Sequence, residues 1–373
     1  MSVNDIPTAG VTRAPRAILL VGGTQMQWES FEMQHNGVFE AGTLTVRMPI
    51  AWSAWPFWVQ QTEVLIDVYI GFPKDPENYS VSDLTLMMTV RCDEIRLDPG
   101  TSTVTLAGRD LTSLFIDNKT DKKFANMTAS AIVTQLAKQY PQFTQLNIKN
   151  TSELVGNYYS LDHVQMQQST TLWKLMTYLA QHEGLQCFVL GRQLYFGEFG
   201  TSVSDAPYKI QYSPPDEDNA WPTINVERME FIHDLTISGD VIVRVRSFHG
   251  AKNAAYSATA KATRTLKNIE KSSKTAQTKQ EYDYVFHGLT QAQCQQKADT
   301  LLAQISQHEY RLEATTPGDT VTFPWTPVVV GGTNTDFDTT YQLARISRTF
   351  DRRGYLMTMS ARTAPTQQAV TLS

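Results

Sequence analysis

The feature that most constrains this chain is a succession of short segments in which apolar and polar residues alternate, each closed by a turn signal. Leu44-Thr45-Val46-Arg47-Met48 has the two-residue period of a half-buried strand. Val64 to Ile70 is a longer run rich in β-branched residues that ends at Gly71, and Leu84 to Val90 continues the pattern. Arg91 to Leu97 and Ser102 to Leu106 flank Asp98-Pro99-Gly100, a turn signature between two strands. The first third therefore reads as a barrel or sandwich. Strands resume at Tyr208, and Val241 to Arg246 is a clean example. Thr320 to Phe323 reads as another, and Gln342 to Ala361 as a last hairpin.

The middle has a different period. Thr128 can cap a helix that carries Ile132, Val133, Leu136 and Tyr140 on one face and is stopped by Pro141. A second helix carries Leu172, Leu175, Met176 and Leu179 and ends at Gly184. A hairpin around Gly191-Arg192 follows it. Farther on, Thr290 and Gln293 are spaced for a capping box, ahead of Ala298, Leu301, Leu302 and Ile305. At 373 residues the chain is long for one core. The expected division is a first β-barrel domain over 1–114, a small α/β domain over 115–200 and a second β-barrel domain over 201–373. The fold class is mainly β with an α+β insert.

The two β-rich ends share a pattern. Asp98 to Arg109 aligns without gaps on Asp351 to Arg362, with Asp98/Asp351, Thr105/Thr358 and Arg109/Arg362 identical and the apolar alternation kept. Glu63-Val64 and Asp319-Thr320-Val321 open a strand at similar distances upstream, which suggests a duplicated domain.

Chemistry is hard to find. With 41% hydrophobic and 18% charged residues the chain is globular, and a net charge of −5 gives no support to a nucleic-acid binder. Cys92, Cys187 and Cys294 are single and unevenly spaced, which argues against both a disulfide framework and a zinc site. The seven histidines form no His-Glu-x-x-His pattern, and no nucleophile elbow or phosphate-binding loop is present. Gly22-Gly23-Thr24 and Gly331-Gly332-Thr333 lack the lysine of such a loop and read as turns. Glu29, Glu32 and Glu40 are the nearest thing to an acidic pair for glycoside hydrolysis. No enzyme, cofactor or metal is expected. The first ten residues lack the layout of a signal peptide, so synthesis and folding are expected in the cytoplasm.

Two features suit a surface that binds. Trp52, Trp55, Phe57 and Trp58 put four large rings within seven positions, either as a plug at a barrel end or as anchors of a subunit interface. The Ala/Lys/Thr-rich stretch from Ala251 to Gln280, with Lys261, Arg264 and Lys267, reads either as a long solvated hairpin or loop or as a basic arm for an acidic partner.

Several ordered motifs resemble a known family. Ala107-Gly108-Arg109-Asp110-Leu111-Thr112, then Ile116-Asp117, resembles the Gly-Arg-Asp segment closing the first domain of phage tail hub proteins. Thr128 to Val133 resembles the helix start that follows it. Ser169 to Leu175, His182-Glu183-Gly184 and Gly191 to Gly197 resemble their helix-plus-hairpin. Gly288 to Ala292, Pro317-Gly318-Asp319 and Tyr341 to Ile346 continue in the same order. The family is the central baseplate hub of contractile-tailed, Mu-like phages and tailocins, related to the N-terminal hub part of type VI secretion spike proteins. The chain departs from it at Ser347-Arg348-Thr349, where many members carry a histidine. The resemblance implies a homotrimer with two tube-like barrels per chain, joining a sixfold tail tube to a threefold central spike without a cofactor. The implied partners are the tail tube protein, a separate central spike protein and other baseplate proteins, with neither membrane insertion nor specific nucleic-acid binding. The implied location is the virion tail, assembled in the host cytoplasm. A hub of a type VI or extracellular injection machine, and a tail-associated cell-wall hydrolase or carbohydrate-binding protein, are the other readings.

Overall fold

The structure, a computed structural model of the chain, describes residues 14–37, 39–120, 122, 124, 126–152, 154, 170–198, 207–216, 221–235, 241–249, 254–261, 280–287 and 289–363. Arg264 and Lys267 lie outside these residues, as does most of the basic stretch around them. The described chain is mainly β with an α+β insert.

The first strands are β1 (Arg16–Val21), β2 (Thr24–Met26), β3 (Ser30–Asn36), β4 (Thr43–Pro49), β5 (Leu65–Gly71), β6 (Thr85–Asp98) and β7 (Thr103–Asp110). They lie in the spatial order β2-β1-β5-β6-β7-β4-β3, and neighbours run antiparallel. Alternation drives the arrangement: Leu44, Val46 and Met48 of β4 are buried, as are Phe31 and Met33 of β3, while Thr45 and Glu32 between them are exposed. These side chains join Leu19, Ile66, Val68, Val90 and Leu106 in one apolar cluster. The two segments expected around Val90 and Arg91 form the single strand β6. A β-bulge between Cys92 and Glu94 bends it. Gly108 faces that bend, and a Cβ there would stand 2.2 Å from the Arg91 carbonyl oxygen. A short helix α1 (Trp55–Val59) connects β4 to β5.

The insert follows. It contains α2 (Ser113–Asp117), β8 (Lys119–Thr120), α3 (Ala129–Ala137), β9 (Gln145–Ile148), β10 (Thr170–Thr171), α4 (Leu172–Glu183), β11 (Gln186–Leu190) and β12 (Gln193–Gly197). Thr128 caps α3 by accepting from the Ala131 amide, Thr171 caps α4 through the Lys174 amide, and Gly184 ends α4 at φ 69°. The apolar faces of the helices cover the sheet β11-β12-β9 and form a core of their own, with Phe115, Ile132, Leu136, Met176, Leu179 and Phe196.

The remaining strands are β13 (Tyr208–Ser213), β14 (Thr223–Ile224), β15 (Arg228–His233), β16 (Val241–His249), β17 (Ala254–Lys261), β18 (Gln280–His287), β19 (Tyr310–Pro317), β20 (Pro327–Gly331), β21 (Thr340–Asp351) and β22 (Gly354–Thr363). Seven of them stand in the order β14-β13-β20-β21-β22-β19-β15. Taken in chain order, β13, β14, β15, β19, β20, β21 and β22 occupy the places of β1 to β7 one for one. The chain thus carries the same seven-strand topology twice. In the second set, the connection that corresponds to β3–β4 is enlarged. It holds a sheet β17-β16-β18 and the helix α5 (Gln291–Ser306), which pack Val243, Val245 and Ala258 against Cys294 and Ala298. Thr290 and Gln293 form the expected capping box of α5. Residues 254–261 of the Lys-rich stretch are strand β17, paired antiparallel with β16.

Two details differ from the sequence reading. Asp98 pairs with Thr103 across a four-residue loop, whereas two residues separate Asp351 from Gly354. The gapless alignment therefore slips by two along the second strand, and Thr105/Thr358 and Arg109/Arg362 do not share a rung. Residues 320–323 are a turn and not a strand, because Asp319 gathers the amides of Val321 and Thr322 onto its carboxylate. By contacts, the described residues divide into two compact units. One contains those up to Tyr208 with Thr315–Thr326 and Leu343–Met359, and the other contains Lys209–Ala314, Pro327–Gln342 and those from Ser360.

Candidate functional site

The Gly-Arg-Asp segment is a structural junction at the end of β7. Arg109 donates to both oxygens of Asp93 at 2.7 and 3.0 Å and to Asp117 of α2 at 3.1 Å, and Arg91 also pairs with Asp117. The Asp117 carboxyl is held below its ordinary range by these two guanidiniums, against the opposing effect of partial burial. Asp110 points the other way and is buried. It accepts from the amides of Gly42 at 2.7 Å and Thr112 at 3.0 Å, yet burial pushes its pKa up to about 6. One residue of the pair anchors the insert's first helix, and the other closes the start of β4.

A second anchor lies at the hairpin tip. Arg192 makes a two-pronged contact with Asp67 of β5, at 3.2 and 2.8 Å, and Thr89 donates to the same carboxylate at 2.6 Å. Trp173 of α4 donates its indole N–H to the Phe39 carbonyl at 2.8 Å.

A buried polar cluster centres on Arg348 of β21, which is wholly inaccessible. Its guanidinium donates to the carbonyls of Asp319 (3.3 Å) and Thr322, lies 3.6 Å from the Asp319 carboxylate and stands over the Phe323 ring. It also donates to Nδ1 of His35 at 3.2 Å, so His35 donates through Nε2 to the Met87 carbonyl at 3.1 Å. Burial first, then the Arg348 charge, lowers the His35 pKa to about 3, so this imidazole is neutral at ordinary pH. Asp319 and Arg348 stand out in the sequence only as parts of two separate motifs, and nothing local in either signals that they meet with His35, the next inward position after Phe31 and Met33.

The aromatic run divides. Trp58 is 2% exposed in the first core and Trp55 packs against it, whereas Trp52 and Phe57 are 72% and 55% exposed. Trp52 and Trp55 have ring centroids 4.6 Å apart, and together with Pro56, Val59 and Gln60 they line an open depression of about 450 Å³. Lys261 is exposed at the end of β17. Glu29 pairs with Arg47 at 3.1 Å and Glu32 accepts from Ser347 at 3.1 Å, so both have cationic or hydroxyl partners on neighbouring strands. Among the described residues no group of three His, Cys, Asp or Glu side chains is placed to hold a metal, and no helix is long and apolar enough to cross a membrane. What the surface offers is exposed rings and strand edges, which suit binding.

No family model and no curated protein sequence matches the chain. Solved structures do. A tail protein from Neisseria meningitidis MC58 is 16% identical, with 93% of this chain and 96% of that one covered at a TM-score of 0.66. The 43 kDa tail protein of prophage MuSo2 from Shewanella oneidensis is 14% identical, with 96% and 99% covered at 0.62. The prophage tail protein gp18 from Listeria monocytogenes EGD-e is 12% identical, with 92% and 94% covered at 0.54. The chain has the fold of these tail proteins over nearly its whole length.

Proposed function

We propose that this chain is the central hub of a contractile tail baseplate, a homotrimer that joins a sixfold tail tube to a threefold spike. The observation that carries the reading is the repetition of one seven-strand order within one chain. Three copies then present six equivalent strand sets to a sixfold partner while keeping threefold symmetry toward the other side. The likeness to phage and prophage tail proteins supports the same setting. On this reading the first barrel domain, the small α/β domain and the second barrel domain act as tube-like, bracing and tube-like parts. The exposed rings of Trp52 and Phe57 serve as interface anchors, and Lys261, Arg264 and Lys267 face an acidic partner. The protein works by binding, in the virion, with no cofactor and no reaction. The test is the mass of the purified chain in solution and its capture by the tail tube and spike proteins of the same particle. A trimer that binds both is expected, and a chain that binds neither would overturn the reading.

A further inference from the structure

One rung of the second strand set carries a charge that the chain does not answer. Gly318 donates its amide to the Tyr355 carbonyl at 2.8 Å, the Thr315 and Thr358 hydroxyls lie 3.4 Å apart, and Thr363 donates to the Tyr310 carbonyl at 3.2 Å. These contacts share one antiparallel register of β19 and β22, without a slip. It sets Arg311 directly opposite Arg362, in a non-hydrogen-bonded pair, where side chains stand closest. Leu312, Ala314, Met359 and Ala361 point into the core, so both arginines lie on the outer face. Arg362 donates to Nε2 of His308 at 3.4 Å, and Nε of Arg311 is buried without an acceptor. Among the described residues neither arginine forms an ion pair. Glu309, next to His308 in sequence, is buried and lies 3.6 Å from His233 instead. Burial, then the charges of Arg362 and Arg311, lower the His308 pKa against the opposing effect of Asp234. Like charges set directly opposite across a sheet destabilise it, so this pair calls for a counter-charge.

The chain shows elsewhere what such a rung takes. Arg91 and Arg109 are also directly opposite each other, on β6 and β7. Asp117, from the helix that follows β7, pairs with both, and Asp93 is a second acceptor for Arg109. After β22, by contrast, residues 364–373 contain neither Asp nor Glu. We propose that Arg311 and Arg362 receive an Asp or Glu side chain of another protein of the particle, held by both as Asp117 is held by Arg91 and Arg109. Guanidiniums suit this task because each offers a planar fork of donors that matches a carboxylate. Glu313, exposed two positions along the same face, selects an isolated acid. A run of phosphates would meet its charge, whereas a protein segment with a cation two residues from its acid satisfies Arg311 and Glu313 together. The anion site stands on Arg311, Arg362 and His308 alone, and only the source of the carboxylate rests on the hub reading.

The experiment has two arms. On the purified full chain, phenylglyoxal labels accessible arginines and mass spectrometry reads the rate at each. Glutarate, compared with sodium chloride at equal ionic strength, should slow labelling of Arg311 and Arg362 about threefold or more and leave the exposed Arg352 unchanged. Absence of that selective protection overturns the site. On the assembled particle, an Arg362→Lys variant is treated with a carbodiimide, which activates a carboxylate for attack by the introduced amine and leaves as its urea. An amide to an Asp or Glu of another protein is the expected product. A cross-link to an acid of this chain, no cross-link at all, or protection of the two arginines that nuclease treatment removes would each overturn the proposal. None of these outcomes touches trimer formation or capture by tube and spike proteins, on which the hub reading is tested separately.

Discussion

Trp52, Phe57 and Trp58 sit within seven positions and do opposite work. Trp58 fills the first core, so Trp58→Ala should cost about 3–5 kcal/mol in chemical denaturation. Trp52→Ala and Phe57→Ser should change stability by no more than about 0.5 kcal/mol and weaken assembly instead. His35 gives a second residue-scale prediction. Its folded pKa of about 3 lies below the unfolded value, so the unfolded chain binds the extra proton between those values and stability falls as pH drops from about 6.5 toward 3. By pH 5 the loss is about 2 kcal/mol. Asp110 acts in the opposite sense. Its raised pKa of about 6 adds stability at low pH that is lost as pH rises from about 4 through 6. Urea midpoints measured from pH 7 to 5 should therefore fall more steeply for Asp110→Asn than for the wild type, and should rise for His35→Gln. Parallel profiles in all three proteins would contradict the assignment.

At the scale of elements, the insert is held to β5 by one two-pronged ion pair. Arg192→Ala leaves the Asp67 carboxylate with Thr89 alone and should cost about 2 kcal/mol, a figure kept low because Arg192 is partly exposed. Exchange of hydrogen in the β11–β12 hairpin amides should speed up in that variant, and unchanged protection would speak against the anchor. Elements were also what the sequence disclosed best. Thr128 and Gly184 are local signals whose caps act within one turn, and the alternation in β4 needs only a two-residue period. What stayed hidden depends on distant partners. Asp319 looks like the opening of a strand until Arg348, Thr322 and Tyr355 gather on it and make a buried turn. The Arg109 motif was recognisable, but its pairing with Asp93 across the β6–β7 hairpin was not, because the bulge after Cys92 sets that register. Of the three identities that suggest the duplication in sequence, only Asp98/Asp351 keeps its place in the structure. Strand order carried the rest, and the loop that is two residues shorter in the second set blurred it in sequence.

At the scale of the whole molecule, one chain repeats a seven-strand order, which in the proposed hub lets three chains face a sixfold partner. The enlarged connection with α5 and the α+β insert decorate the two sets differently, and the proposed hub would keep its threefold symmetry through that difference. The most direct measurement is a map of the assembled particle at side-chain resolution. Three copies around the tail axis between tube and spike are expected, with six seven-strand sets around the lumen. A map with six copies of this chain in that ring, or with the chain away from the axis, would contradict the proposal.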